Sequence, residues 1–130
     1  MPTPVEIAAD TYINVWGERD PERRAAMIEA CFAADGRIVT RSRDIVGRAA
    51  FADMVARVQA DPQFVRVRVT SAIDACRSTF RFSGVIEHKD GSTSVEAFDA
   101  GEIDASGRIS LLLTFAGPLG EASSDVSAGA

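Results

Sequence analysis

The sequence predicts an α+β fold, with helices first and a meander of strands after them. Up to Pro62 the apolar residues recur mainly with helical spacing, and beyond Pro62 they alternate with period two. One short strand-like stretch interrupts the helices. Each long strand has a single apolar face, so three N-terminal helices are expected to cover one side of a strongly curved, mostly antiparallel sheet. Such a sheet folded over helices leaves a conical pocket between the layers, a common seat for a ligand.

The first helix starts at Thr3-Pro4-Val5-Glu6, where Thr3 can cap, Pro4 takes the first helical position and Glu6 closes a capping box. Val5, Ala8, Ala9, Tyr12, Ile13 and Trp16 then form one stripe, and Gly17 ends the helix. Asp20-Pro21-Glu22 opens a second helix by the same logic, with Ala25, Ile28, Cys31 and Phe32 on its buried side. Asp35-Gly36 turns the chain into a short strand, Arg37 to Arg41. Gly47 opens a third helix with Phe51, Met54, Val55 and Val58 on its stripe, stopping before Pro62.

Among the strands, Val65, Val67, Val69, Ser71 and Ile73 share a face, with Arg66 and Arg68 opposite. Phe80, Phe82, Gly84 and Ile86 share a face of the next strand, with Arg81 opposite. Lys89-Asp90-Gly91-Ser92 is a hairpin turn, Ala105-Ser106-Gly107 is another, and Ile109 to Ala116 is the last strand. A single domain over residues 1–119 is expected, followed by a small, polar, poorly ordered tail at 120–130.

Composition narrows the function. A hydrophobic content of 46% with 25% charged residues is that of a soluble globular protein. The formal net charge of -5 argues against nucleic acid, which calls for a basic face. No apolar run has membrane-spanning length and none resembles a signal peptide, so a cytoplasmic protein with no membrane partner is expected. Cys31 and Cys76 have no metal or redox spacing, no ligand cluster for a metal is visible, and no glycine-rich phosphate loop follows a strand. No cofactor is expected.

One residue breaks the pattern. In "VEAFDAGEIDASGRI", residues 95–109, one face carries Glu96, Phe98, Ala100, Glu102 and Asp104, suited to water. The other carries Val95, Ala97, Gly101 and Ile103, with Asp99 among them. A bulge near Gly101 or a strand edge would return Asp99 to solvent. If the alternation holds, Asp99 faces the pocket, where desolvation raises its pKa and fits it for general acid or base work. A tight Asp104–Gly107 turn would place Leu112 directly across from it. Tyr12 carries a hydroxyl that needs a partner when buried, and a pocket acid would serve. Asp99 and Tyr12 are therefore the candidate catalytic residues. Trp16, Thr40, Met54, Ser71, Phe82 and Leu112 are the candidate ligand-binding residues.

The Tyr12–Trp16 helix, "RDPERRAAMIEACFAADGRI", "VGRAAFADMV", "FDAGEIDASGRI" and "FAGPL" together resemble the SnoaL-like proteins, across about residues 4 to 119. These belong to the nuclear transport factor 2-like superfamily of cone-shaped α+β barrels, with ketosteroid isomerase, scytalone dehydratase, limonene epoxide hydrolase and the polyketide cyclases. The resemblance implies a small hydrophobic ligand and a cofactor-independent isomerase, cyclase or hydrolase. The alternative is a non-catalytic binding protein or a dimeric interaction module. Asp99 falls where ketosteroid isomerase and the cyclases carry a pocket acid, and Tyr12 on the isomerase's oxyanion-hole tyrosine. The isomerase's proton-shuttling aspartate is replaced by Thr40. His88, the lone histidine, is expected to be solvated beside its turn. Arg81-Phe82-Ser83 has a serine where the epoxide hydrolase has an acid.

The resemblance also implies a homodimer. Arg66, Arg68, Arg81, Glu96 and Glu102 are expected on the outer sheet face around Phe98, which would anchor the contact.

Overall fold

A computed structural model describes residues 1–122 of the chain. It contains three helices, α1 (Pro4–Val15), α2 (Pro21–Cys31) and α3 (Arg48–Ala60). The strands are β1 (Phe32–Val39), β2 (Asp44–Val46), β3 (Phe64–Val69), β4 (Asp74–Cys76), β5 (Thr79–His88), β6 (Ala97–Ile103) and β7 (Ile109–Ala116). They form one sheet in the order β2-β1-β7-β6-β5-β3, with β4 also pairing with β5. Every pairing is antiparallel except that of β1 with β7. The α+β architecture expected from periodicity is the one adopted. Most of the expected tail, from residue 123 on, lies outside the described residues. Among the described residues no helix is long and apolar enough to cross a membrane.

The core lies between the helices and one sheet face. Val5, Ala8, Ala9, Tyr12 and Val15 from α1 and Phe51 and Val55 from α3 meet Phe32, Ile38, Phe80, Phe82, Ile109 and Leu112. Each large side chain taken from water contributes about 1.5–3 kcal/mol, which is why the helices stay on this face. At the start of α1, Thr3 Oγ1 accepts from the Glu6 N–H at 3.2 Å, and the Thr3 hydroxyl donates to Glu6 Oε1 at 3.0 Å. Asp20 departs from that logic. Its side chain makes no cap hydrogen bond and sits 3.4 Å from Arg23 Nε. Ala25 is exposed, and Arg24 and Met27 are half-buried instead. Arg24 donates to Gln59 Oε1 at 2.7 Å, so α2 is rotated to lay an arginine stem, with its head paired, against α3.

Three strand expectations change. β1 starts at Phe32 and ends at Val39, because α2 runs straight into it; Asp35-Gly36 is an irregularity inside the strand, marked by a register shift between Phe32 and Arg37. A Cβ at Gly36 would sit 2.7 Å from the Phe32 ring, so only glycine fits there. The stretch 65–73 is not one strand. A register shift between Phe64 and Arg66 turns Phe64 inward and leaves Val65 44% exposed, and β3 stops at Val69. The short strands β2 and β4 carry too few residues for a periodic signal.

The β6–β7 register is the change that bears on the site. Asp99 pairs with Thr114, and Leu112 pairs with Gly101. The turn is closed by Asp104 and Arg108, Asp104 N–H donating to Arg108 O at 2.8 Å, with Gly107 at φ +83°. That loop is one residue longer than the tight turn expected, and a register shift between Glu102 and Ile103 adds another. Two single-residue slips restore parity, so Leu112 keeps its face while moving along the strand. Both lie beyond Asp99, and the alternation around Asp99 is intact.

Candidate active site in the cone

Helices α1 and α3, the end of β1 and the inner faces of β3, β5, β6 and β7 enclose a cavity of about 390 Å³. Tyr12, Trp16, Thr40, Met54, Phe82 and Asp99 all line it. Two of the expected residues do not. Leu112 is fully buried in the core, across from Gly101. Ser71 is exposed beyond the end of β3, where its Oγ accepts from the Ser83 N–H at 2.8 Å. Ser42, Arg43, Ser94 and Thr114 line the cavity without having been anticipated. Thr114 follows from the corrected register. Ser42 and Arg43 sit in a turn, where no periodicity reports which way a side chain faces.

Asp99 is held by β6 between Phe82 of β5 and Thr114 of β7, its partners across the ladder. Residues paired in this way share a face, and Phe82 is 7% exposed, so Asp99 is on the core side. The residue is half-buried, but its Oδ1 is buried and has no hydrogen-bond partner. Burial pushes its carboxyl up from 3.8 to about 6, with the Thr114 hydroxyl opposing the change. An unpartnered oxygen in an apolar wall costs about 1–3 kcal/mol, a deficit that a bound donor would remove.

Tyr12 is placed by aromatic packing. Its ring stacks on Phe51 with centroids 5.4 Å apart and meets Trp16 edge-on at 6.2 Å. Burial, and then the charge of Asp99, raise its pKa well above that of a free phenol, so the hydroxyl remains a donor. Tyr12 and Asp99 thus line one cavity, but the phenol does not satisfy Asp99 Oδ1. Thr40 is committed to its own turn. Its Oγ1 accepts from the Arg43 N–H at 3.0 Å, and its N–H donates to Arg43 O at 2.8 Å.

Other reactive groups lie elsewhere. Cys31 is buried and its thiol is pushed up to about 12 by desolvation, which leaves it inert; Cys76 is exposed. His88 is half-buried at the end of β5, across the ladder from Phe64, and its Nδ1 is buried without a hydrogen-bond partner. Among the described residues no three His, Cys, Asp or Glu side chains group as metal ligands would.

The outer sheet face is also apolar at its centre. Phe98 is 40% and Phe115 62% exposed, paired across β6 and β7, with Leu111 and Leu113 further along. Charged side chains at its margins are tied to each other: Arg81 to Asp74 at 2.7 Å, and both Arg66 and Arg68 to Glu87.

No protein-family model and no curated protein matches the sequence. Solved structures do match. A proposed isomerase of the SnoaL-like family from Agrobacterium tumefaciens superposes with a TM-score of 0.79 at 26% identity, over 90% of this chain and all of that one. An LEH-like epoxide hydrolase from M. tuberculosis gives 0.66 at 16% identity over 87% and 82%. A protein from Catenulispora acidiphila with a ketosteroid isomerase-like fold, in complex with trimethylamine, gives 0.65 at 17% identity over 85% of each chain.

Proposed function

We propose that this chain, a member of the nuclear transport factor 2-like superfamily by its fold, binds a small apolar molecule in its cone and that Asp99 exchanges a proton with it. The observation that carries this reading is that Asp99, whose Oδ1 is buried and without a hydrogen-bond partner, lines a cavity walled largely by apolar and aromatic side chains. A carboxyl whose pKa lies near 6 is ionised at neutral pH yet poorly solvated, which is the condition of an effective general base. Against a ketone, Asp99 takes the proton from the carbon next to the carbonyl, and the enolate oxygen needs a donor. Tyr12, protonated and lining the same cavity, is suited to give it. Where a carbon–carbon double bond is conjugated with the enolate, return of the proton from Asp99 to its far carbon completes an isomerisation. Attack of the enolate carbon on a second carbonyl of the same molecule, whose oxygen takes the proton back from Asp99, completes a cyclisation.

Thr40 supports a second reading, in which the cone holds its ligand without turnover. With threonine where the resembling isomerase has its base, one carboxyl must serve every proton step. The two readings separate in D2O. A panel of apolar ketones is incubated with the protein and deuterium uptake beside the carbonyl is followed by NMR. Catalysed uptake that falls about 10²–10⁴-fold in Asp99→Asn is expected. Ligands that raise the melting temperature but never exchange would leave only the binding reading.

The same fold supports a homodimer through the outer sheet face, with Phe98 and Phe115 as its apolar centre.

A further inference from the structure

We infer that the cone selects an apolar molecule with a carboxylate at one end, held by Arg43, and at the other either a hydroxyl that donates to Asp99 or a ketone whose oxygen accepts from Tyr12 while Asp99 faces the carbon beside it. This rests on the cone being the ligand site, and it specifies the chemical class of the ligand.

Arg43 and Asp99 are the two charged residues that line the cavity. They sit on different elements, Asp99 within β6 and Arg43 in the turn joining β1 to β2. Arg43 and its neighbour Ser42 are exposed while Tyr12 and Phe82 are buried, so the turn forms the mouth and the aromatic residues the interior. Among the described residues the Arg43 guanidinium has no hydrogen bond and no ion pair, unlike most arginines here. Arg37 is bound to Asp44, Arg66 and Arg68 to Glu87, Arg81 to Asp74, and Arg24 to Gln59. The acid next to Arg43 in sequence is Asp44, and both of its oxygens are taken by Arg37, at 2.9 and 2.7 Å. Arg43 is therefore left un-neutralised beside an apolar cavity.

The backbone of Arg43 is also fixed before any ligand arrives. The two bonds between Thr40 and Arg43, one through the Thr40 hydroxyl and one through the backbone, close the turn. Thr40 acts here as a positioning residue. A guanidinium carried on such a turn at a cavity mouth offers a planar fork that matches a carboxylate. A quaternary or primary amine would meet the same charge as repulsion on entry, which argues against a cationic ligand despite the aromatic walls.

The test uses ω-oxo-ω-phenylalkanoates of graded chain length, their methyl esters, and the corresponding phenyl ketones without the acid. Affinities are measured by calorimetry on the whole chain. For the best chain length, the acid is expected to bind about tenfold or more tightly than its ester. Arg43→Gln abolishes that ratio and leaves ester affinity unchanged; the exposed site makes loss of folding no explanation. Thr40→Val lowers the acid-to-ester ratio, and Thr40→Ser restores it, a pattern that general destabilisation does not produce. Equal affinity for acid and ester in the native chain overturns the carboxylate inference and leaves the apolar-ligand reading standing. Binding of none of the compounds at any length overturns both.

Discussion

Phe98 and Asp99 are consecutive residues of one strand and face opposite ways. Asp99 puts an acid on the oily inner face, and Phe98 pairs with Phe115 on an outer face that is apolar at its centre and charged at its margins. The surroundings respond differently. Two carboxylates of the outer side are matched by arginines: Glu87 is held below the usual range by hydrogen bonds from Arg66 and Arg68, and Asp74 pairs with Arg81. On the inner face the one acid is left without a partner for Oδ1. An exposed acid that has found a partner is ordinary surface. A buried one that has not is a place where a ligand belongs.

The contrast is broken most severely from inside. Phe51 is fully buried and stacks with Tyr12, so Phe51→Ala is expected to lose about 3–5 kcal/mol in denaturant unfolding. Phe98→Ala, on the outer face of the same protein, should stay within about 1 kcal/mol in the monomer. Equal losses would mean that the two faces are equally buried in solution.

A smaller effect sharpens the electrostatic half of the comparison. With its carboxyl raised from 3.8 to about 6, Asp99 binds its proton more tightly in the folded chain than in the unfolded one. The contribution of Asp99 to stability is therefore fullest below 3.8, falls as the pH rises toward 6, and is lower by about 3 kcal/mol above that. Asp99→Asn should flatten this descent and raise stability at neutral pH. Glu87 works in the opposite sense, since its contribution is present at neutral pH and is lost as the pH falls through its lowered pKa. Unfolding curves of the native chain and Asp99→Asn from about pH 2 to pH 8 separate the two groups.

The smallest expected change in folding comes from Phe115→Glu, within about 0.5 kcal/mol for an exposed side chain. It should nevertheless convert the proposed dimer to a monomer in sedimentation velocity, because a charge is placed at the apolar centre of the outer face through which that dimer is proposed to form. A native chain that sediments as a monomer would remove the dimer.

Much of this was legible in the sequence because the periodicities are long. The stripe of α1 and the alternation of β5 and β6 place Tyr12, Phe82 and Asp99 without any knowledge of pairing. Register was not legible. The expected partner of Asp99 was Leu112 and the observed one is Thr114, because a longer turn and a single-residue slip leave no trace in the apolar pattern. Ser71 was misplaced for a related reason, since nothing in its spacing shows that β3 stops at Val69. Arg43 was invisible because its facing depends on a turn, and turns carry no period. The buried faces were read from chemistry; the junctions between them needed coordinates.

The most direct measurement is a ¹³C NMR titration of the Asp99 carboxyl, assigned by comparison with Asp99→Asn. A midpoint near 6 is expected for an acid shut inside the cone. A midpoint near 3.8, the value of a solvated aspartate, would contradict the buried site and everything built on it.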